Sequence, residues 1–170
     1  MTTTSTDTLP AGHWTVDPAR SEVTFETRAM GGLFPVHGRF DRFTGALNVD
    51  EQGHVDGDLV IEAETIKTGI GKRDAHLRTK DFFHAEAHPQ VTFALTEVRA
   101  TDGRVTATGT LHIRDRSLPI STPLTVTQTG DELRLEADFV VDHDAAGLGW
   151  AKPIMVRKHV DARVRLALRK

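Results

Sequence analysis

Nine histidines give this 170-residue chain its most visible capacity for chemistry. His84 and His88 stand four residues apart, and His76 stands eight before His84. Two histidines at i and i+4 can share a metal when both lie on one helix face. Pro89 follows His88 directly and biases it away from helical backbone, and the His84–His88 loop has no carboxylate pair at a ligand-like spacing. The pattern favours structural histidines over a metal site, and a metal-dependent enzyme or metal-binding protein using His76, His84 and His88 stands as the alternative. Ser5, Ser21, Ser117 and Ser121 are the serines, and none sits in a Gly-flanked nucleophile turn. Gly69-Ile70-Gly71-Lys72 lacks the spacing and the following hydroxyl of a phosphate loop. Glu62 and Glu64 share one side of a strand without an acid/base partner, as solvated carboxylates do. With no cysteine there is neither a thiol nucleophile nor a thiolate metal site. The residue types predict no enzyme and no cofactor.

The elements that would position any site are strands. Val105, Ala107, Gly109, Leu111 and Ile113 alternate with Thr106, Thr108, Thr110, His112 and Arg114. Leu133 to Val141 and Val160 to Arg169 repeat the pattern. A period of two over nine residues marks strands with one apolar and one wet face, an arrangement that antiparallel sheets tolerate. Further strands are read at Trp14–Val16 continuing into Glu22–Arg28, Val36–Val49, Val55–Ala63, Val91–Val98 and Leu118–Thr127. Val36, Gly38 and Phe40 share one parity while Phe43, Leu47 and Val49 share the other, which predicts a β-bulge near Asp41–Arg42. Asp102-Gly103 and Thr129-Gly130-Asp131 mark hairpins.

The count is eight antiparallel strands joined mostly by short hairpins. Closing that meander into an up-and-down barrel removes exposed edges and encloses room for one small ligand; a sandwich would need longer Greek-key connections. Gly71–Phe83 breaks the alternation and predicts one short helix over Lys72–Thr79, between the third and fourth strands, capping one end of the barrel. Small inner-face residues (Gly38, Gly45, Ala107, Gly109, Ala137, Ala162) would leave space inside, unless bulky neighbours fill it and the chain is a solid-core interaction module.

The Thr/Ser-rich residues 1–11 read as a disordered tail and 12–170 as one domain. A net charge of −3 with interspersed signs gives no footprint for nucleic acid. No run approaches the roughly 20 apolar residues of a membrane span, so no membrane insertion is expected. Met1–Pro10 has neither a basic nor an apolar leader region, which predicts a cytoplasmic protein.

Met30, Leu33, Phe34, Phe82, Phe83, Trp150 and Met155 fall at strand ends or in loops and could together line an apolar mouth. Phe25, Phe40, Phe93 and Phe139 add candidate ligand contacts within the strands.

Several blocks resemble one known family. Trp14-Thr15-Val16-Asp17-Pro18-Ala19-Arg20-Ser21-Glu22-Val23-Thr24-Phe25 looks like the opening strand of YceI-like proteins. Lys72-Arg73-Asp74-Ala75-His76-Leu77-Arg78 followed by Asp81-Phe82-Phe83 is similar to their most specific signature. Pro89-Gln90-Val91-Thr92-Phe93 and Gly147-Leu148-Gly149 match later parts of the pattern. The resemblance covers about Gly12 to Lys170. It implies a lipocalin-like eight-stranded barrel that holds a polyisoprenoid, an isoprenoid quinone or a fatty-acid-like lipid for transport, storage or sequestration. It also suggests a homodimer, and it includes many periplasmic members. Ala145-Ala146 stands where the family often has an aromatic, which implies one altered ligand contact. Arg39, Arg73 and Arg78 are candidates for gripping a polar head, since a guanidinium can bind phosphate bidentately. Asp74 is expected instead to tie the helix to the barrel rim, and Arg73 could serve either role.

Overall fold

The computed structural model describes residues 3–5, 8–29, 34–80, 82–142 and 159–170. Among these, thirteen β-segments join one antiparallel sheet: β1 (Thr3–Ser5), β2 (Gly12–Val16), β3 (Glu22–Ala29), β4 (Phe34–Phe40), β5 (Phe43–Val49), β6 (Val55–Glu62), β7 (Ile66–Lys67), β8 (Gln90–Thr101), β9 (Arg104–Ile113), β10 (Arg116–Pro123), β11 (Thr125–Thr129), β12 (Glu132–Asp142) and β13 (His159–Arg169). One α-helix, α1 (Gly71–Leu77), lies between β7 and β8. The helix expected over Lys72–Thr79 is thus present, shifted by one or two residues.

The alternating segments form the strands they predict. Val105, Ala107, Gly109, Leu111 and Ile113 of β9 are all buried, while the residues between them are exposed or half-buried. At the turn into β9, Asp102 and Gly103 both take left-handed φ (53° and 75°), as a tight hairpin requires. The turn into β10 has no glycine, and Arg114 carries the left-handed conformation (φ 53°).

The strand count departs from eight. Three long strands are each split: at Asp17–Ser21 between β2 and β3, at residues 41–42 between β4 and β5, and at Leu124 between β10 and β11. Each break is a change of partner. β2 pairs with β5, but β3 pairs with β4; β10 pairs with β9, but β11 pairs with β12. β13 spans the first break, pairing with β2 and β3 while Ala167 receives the amide of Asp17 and donates its own amide to the Ser21 hydroxyl. The parity change anticipated as a bulge near Asp41–Arg42 is one of these bends. The ladder follows an open path, β1-β11-β12-β13-β2-β5-β6-β8-β9-β10. Among the described residues no backbone ladder joins β10 to β12, so the expected closed ladder is corrected to this path; the Thr122 hydroxyl meets the Asp138 carbonyl at 3.0 Å across that seam.

Where a disordered tail is expected to Ala11, β1 pairs with β11 and Leu9 is buried in the core. Trp14 lies beside it, fully buried, with its indole N–H donating to the Pro10 carbonyl.

The core is graded along the strands. Trp14, Val126, Leu133 and Leu168 are sealed at one end. Along β12 the inward residues pass from buried Leu133 and Leu135 to half-buried Ala137, Phe139 and Val141. Burial loosens toward the Asp142 and His159 ends of β12 and β13, and the space that opens there is the candidate site.

Candidate functional site

A cavity of about 420 Å³ occupies the loosely filled half of the sheet. Its floor is Val16, Leu47, Leu135 and Leu168, above the sealed end. Its walls are the inward residues of β3, β8, β12 and β13, including Phe25, Phe93, Ala137, Phe139, Val141, Val160, Ala162 and Val164. Alternation explains this lining: every second residue of each strand faces in, and apart from Thr27 of β3 those residues are apolar.

One side is covered by α1 and the segment after it, through Arg73, His76, Leu77, Phe82 and Phe83. The first three stand at i, i+3 and i+4, the spacing that puts side chains on one helix face. A run of rings descends from this cover into the wall. Phe83 meets Phe40 edge-on with centroids 5.7 Å apart, and Phe40 meets Phe25 at 5.8 Å. His76 stands edge-on to Phe82 at 5.2 Å.

A seven-residue helix cannot hold itself in water. The local fold supplies the anchor at Thr68. Asp74, buried in the first turn of α1, accepts from the Thr68 amide (2.8 Å) and hydroxyl (2.5 Å). Arg73 Nε donates to the same hydroxyl and Nη2 to the Thr68 carbonyl, both at 2.8 Å. Arg114 Nη1 donates to the Phe82 carbonyl, tying the β9–β10 turn to the segment after α1.

The candidate ligand residues divide clearly. Phe25, Phe40, Phe82, Phe83, Phe93, Phe139 and Arg73 line the cavity. Arg39 does not: Val36 and Gly38 are buried, so Arg39 faces outward, where Nε donates to Asp41 at 2.7 Å. There it belongs to a surface cluster in which hydrogen bonds from Lys67 and then Arg39 hold the Asp41 carboxyl below its usual range, and Asp41 in turn raises Arg39. Arg78 is half-buried outside the lining, with Nη2 3.4 Å from the Ile66 carbonyl. Met30, Leu33, Trp150 and Met155, the Ala145–Gly149 stretch and the side chain of Phe34 lie outside the described residues. Two further residues line the cavity, His76, a candidate above only as a metal ligand, and Leu77, and helical spacing from Arg73 points to both.

The inner-face glycines do not open room in the way expected. A Cβ on Gly38 would stand 2.1 Å from Cζ of Phe25, and one on Gly109 would stand 2.6 Å from Cζ of Phe93 and 2.2 Å from the Ala94 carbonyl oxygen. Gly38 and Gly109 are each covered by a phenyl ring from the neighbouring strand, while a Cβ on Gly45 would meet the Asp58 carbonyl oxygen at 2.8 Å and Val16 at 2.9 Å. Ala107, Ala137 and Ala162, by contrast, do line the cavity.

His76, His84 and His88 are not brought together as a ligand set. His84 and His88 face one another with ring centroids 5.6 Å apart, while His76 packs on Phe82. Among the described residues no group of three or more His, Cys, Asp or Glu has metal-binding geometry. The cavity is suited to exclude water from a long apolar molecule, with Arg73 and His76 as polar groups at its cover.

The profile of the YceI-like domain matches residues 14–168. Among curated relatives, a UPF0312 protein of Photorhabdus laumondii is 31% identical over 87 residues, half of this chain and 45% of that protein. One from Pseudomonas aeruginosa is 31% identical over 113 residues, 65% of this chain and 58% of that protein. The aligned part of the chain thus spans about half the length of these relatives. Among solved structures, Burkholderia cenocepacia BcnA superposes with a TM-score of 0.82 at 23% identity, over 89% of this chain and 98% of that one. A polyisoprenoid binding domain from Saccharophagus degradans gives 0.75 at 16% identity, over 92% and 97%. These superpositions establish a common fold.

Proposed function

This chain belongs to the YceI-like family, and from that premise we propose that it is a non-catalytic binding protein for a long-chain apolar or amphiphilic molecule. A polyisoprenoid, an isoprenoid quinone or a fatty-acid-like lipid fits, held for transport, storage or sequestration. The observation that carries this reading is the cavity of about 420 Å³ walled by Phe25, Phe93, Phe139 and the alanines of β12 and β13. The Saccharophagus neighbour, described as a polyisoprenoid binding domain, supports the ligand class.

The energetics are favourable. Each buried CH₂ contributes about 0.8 kcal/mol, so each five-carbon unit brings roughly 4 kcal/mol before ordering costs. The volume lies in the lower part of the roughly 300–1,000 Å³ range of small-molecule sites. A chain of a few such units fills it, and a longer one extends past the cover formed by α1. In this reading the sheet works as a barrel. Support comes from the continuous segment of β10 and β11, whose first half pairs with β9 and whose second half pairs with β12.

The test is mass spectrometry of an organic extract of the purified protein, together with titration of N-phenyl-1-naphthylamine and its displacement by farnesol. Co-purification of a stoichiometric prenyl or acyl lipid, with displacement by farnesol, is expected. No extracted lipid and no probe binding would overturn the proposal.

A further inference from the structure

One row crosses four strands at the middle of the cavity. Phe139 of β12 lies opposite Ala162 of β13, Ala162 lies opposite Phe25 of β3, and Phe25 lies opposite Gly38 of β4. Large and small residues alternate along it, and each ring has a small neighbour to rest against. The Phe25 ring lies over Gly38 so closely that a Cβ there would meet three ring atoms at 2.1, 2.5 and 2.7 Å.

Nothing else demands a glycine at that position. Gly38 is absent from the residues with left-handed φ, and the three atoms nearest to its Cβ would all belong to the Phe25 ring. At Gly109, in contrast, a Cβ would also strike the backbone carbonyl of Ala94. Gly38 is therefore a seat for a ring, not a turn or a close approach of two strands. A retracted Phe25 leaves space over Ala162 that the ring would otherwise take, while its far side stays in contact with Phe40.

We propose that Gly38 and Ala162 are the specificity-determining residues of the cavity. By parking Phe25 against the wall they hold the cavity wide enough at this row for a methyl-branched prenyl chain, rather than for a straight alkyl chain alone. The inference rests on the lipid-holding reading above and assigns its selectivity to one layer. A side chain at position 38 drives the Phe25 ring inward, because the strand behind it cannot yield as readily as a ring facing open space.

The experiment compares farnesol with 1-dodecanol as competitors of N-phenyl-1-naphthylamine. Gly38→Ala should weaken farnesol by about tenfold or more, and 1-dodecanol by less than about threefold. Gly38→Ala with Phe25→Leu should bring farnesol back to within about threefold of the parent. Ala162→Val narrows the same row from the other side without touching Gly38, and it should discriminate in the same direction even if Gly38→Ala unfolds by circular dichroism. Equal farnesol affinity in the parent and in a folded single variant would overturn the inference, as would failure of Phe25→Leu to rescue a folded Gly38→Ala. A parent protein that binds neither the probe nor farnesol would instead overturn the lipid-holding reading itself.

Discussion

Asp74 accepts two hydrogen bonds from Thr68, one from its amide at 2.8 Å and one from its hydroxyl at 2.5 Å. Arg73, the preceding residue, grips the same threonine through its hydroxyl and carbonyl oxygens. Thr68 is thus the peg on which the cover of the cavity hangs. The carboxylate also sits in the first turn of α1, where the unpaired amides of a helix favour negative charge.

Asp74→Ala removes the Oδ1 that accepts both bonds and leaves the amide of half-buried Thr68 without its acceptor. Charge-assisted bonds of this kind contribute roughly 1.5–3 kcal/mol, so a loss of about 2 kcal/mol in urea unfolding is expected. Asp74→Asn keeps one acceptor oxygen and should lose less. Hydrogen exchange resolves the site of damage: residues 68–77 should exchange faster in Asp74→Ala, with β12 and β13 unchanged. Uniform acceleration across the sheet would sink the idea of a local peg.

Ala137 faces the cavity from β12, opposite Val164 of β13. Ala137→Leu extends a side chain into space that the native fold leaves open. It should abolish displacement of N-phenyl-1-naphthylamine by farnesol while changing stability by less than about 1.5 kcal/mol. Gly109→Leu looks equivalent in sequence but should fail to fold, because its Cβ would stand 2.2 Å from the Ala94 carbonyl oxygen. Equal tolerance of the two substitutions, read by thermal melts, would contradict this difference.

The contrast between Ala137 and Gly109 shows what the sequence carries. The strands β9, β12 and β13 are legible because their inward positions are apolar and their outward ones polar at every position but Val140 and Ala167, so parity sets their inner faces. Parity also places Arg39 outside, since it falls between Gly38 and Phe40. Helical spacing from Arg73 similarly points to His76 and Leu77. The three strand breaks are another matter. Asp17–Ser21, residues 41–42 and Leu124 bend where a strand exchanges one partner for another, and partner choice is a tertiary fact. A glycine on an inner face reads as empty space until the ring from the next strand is seen lying on it.

Asp138 stands on the outer face of β12, with Arg163 Nε at 3.1 Å and Arg165 Nη1 at 3.2 Å. Hydrogen bonding by Arg165 and then Arg163 holds its carboxyl below the usual range, as Lys67 and Arg39 do for Asp41. A depressed value in the fold means that the ionised form is favoured there. The stabilisation is therefore complete above the unfolded carboxylate value of about 3.9 and is lost as pH falls through the lower folded value. Both groups are solvent-accessible, so the effect is small and screened by salt. Urea midpoints at pH 6 and pH 3 should differ less in Asp138→Asn than in the parent, and the gap between the two proteins should shrink in 1 M NaCl. An acid limb unchanged by Asp138→Asn would remove this pair from the account.

The seam between β10 and β12 provides the last test, because it bears on whether the sheet behaves as a barrel. Thr122 is buried, lines the cavity, and donates from its hydroxyl to the Asp138 carbonyl at 3.0 Å, with the Pro123 carbonyl at 3.3 Å as a second acceptor. The chain continues past it through Leu124, whose amide donates to the Val105 carbonyl at 2.8 Å before β11 joins β12. The Thr122 hydroxyl is thus a direct tie between the end of β10 and the middle of β12. Thr122→Val keeps the shape and removes the donor. Loss of a neutral hydrogen bond costs about 1 kcal/mol, partly offset because valine suits an apolar lining better than threonine does. The sharper readout is where the protection is lost. If the seam holds the two halves together, amides of residues 118–124 and 136–140 should exchange faster in Thr122→Val, while the β8–β9 hairpin, which pairs through a full ladder, keeps its protection. Farnesol should restore the lost protection, because a chain packed against the inner face bridges both sides of the seam. Exchange at the seam identical to the parent, with or without farnesol, would mean that the covalent bend at Leu124 alone keeps β10 beside β12.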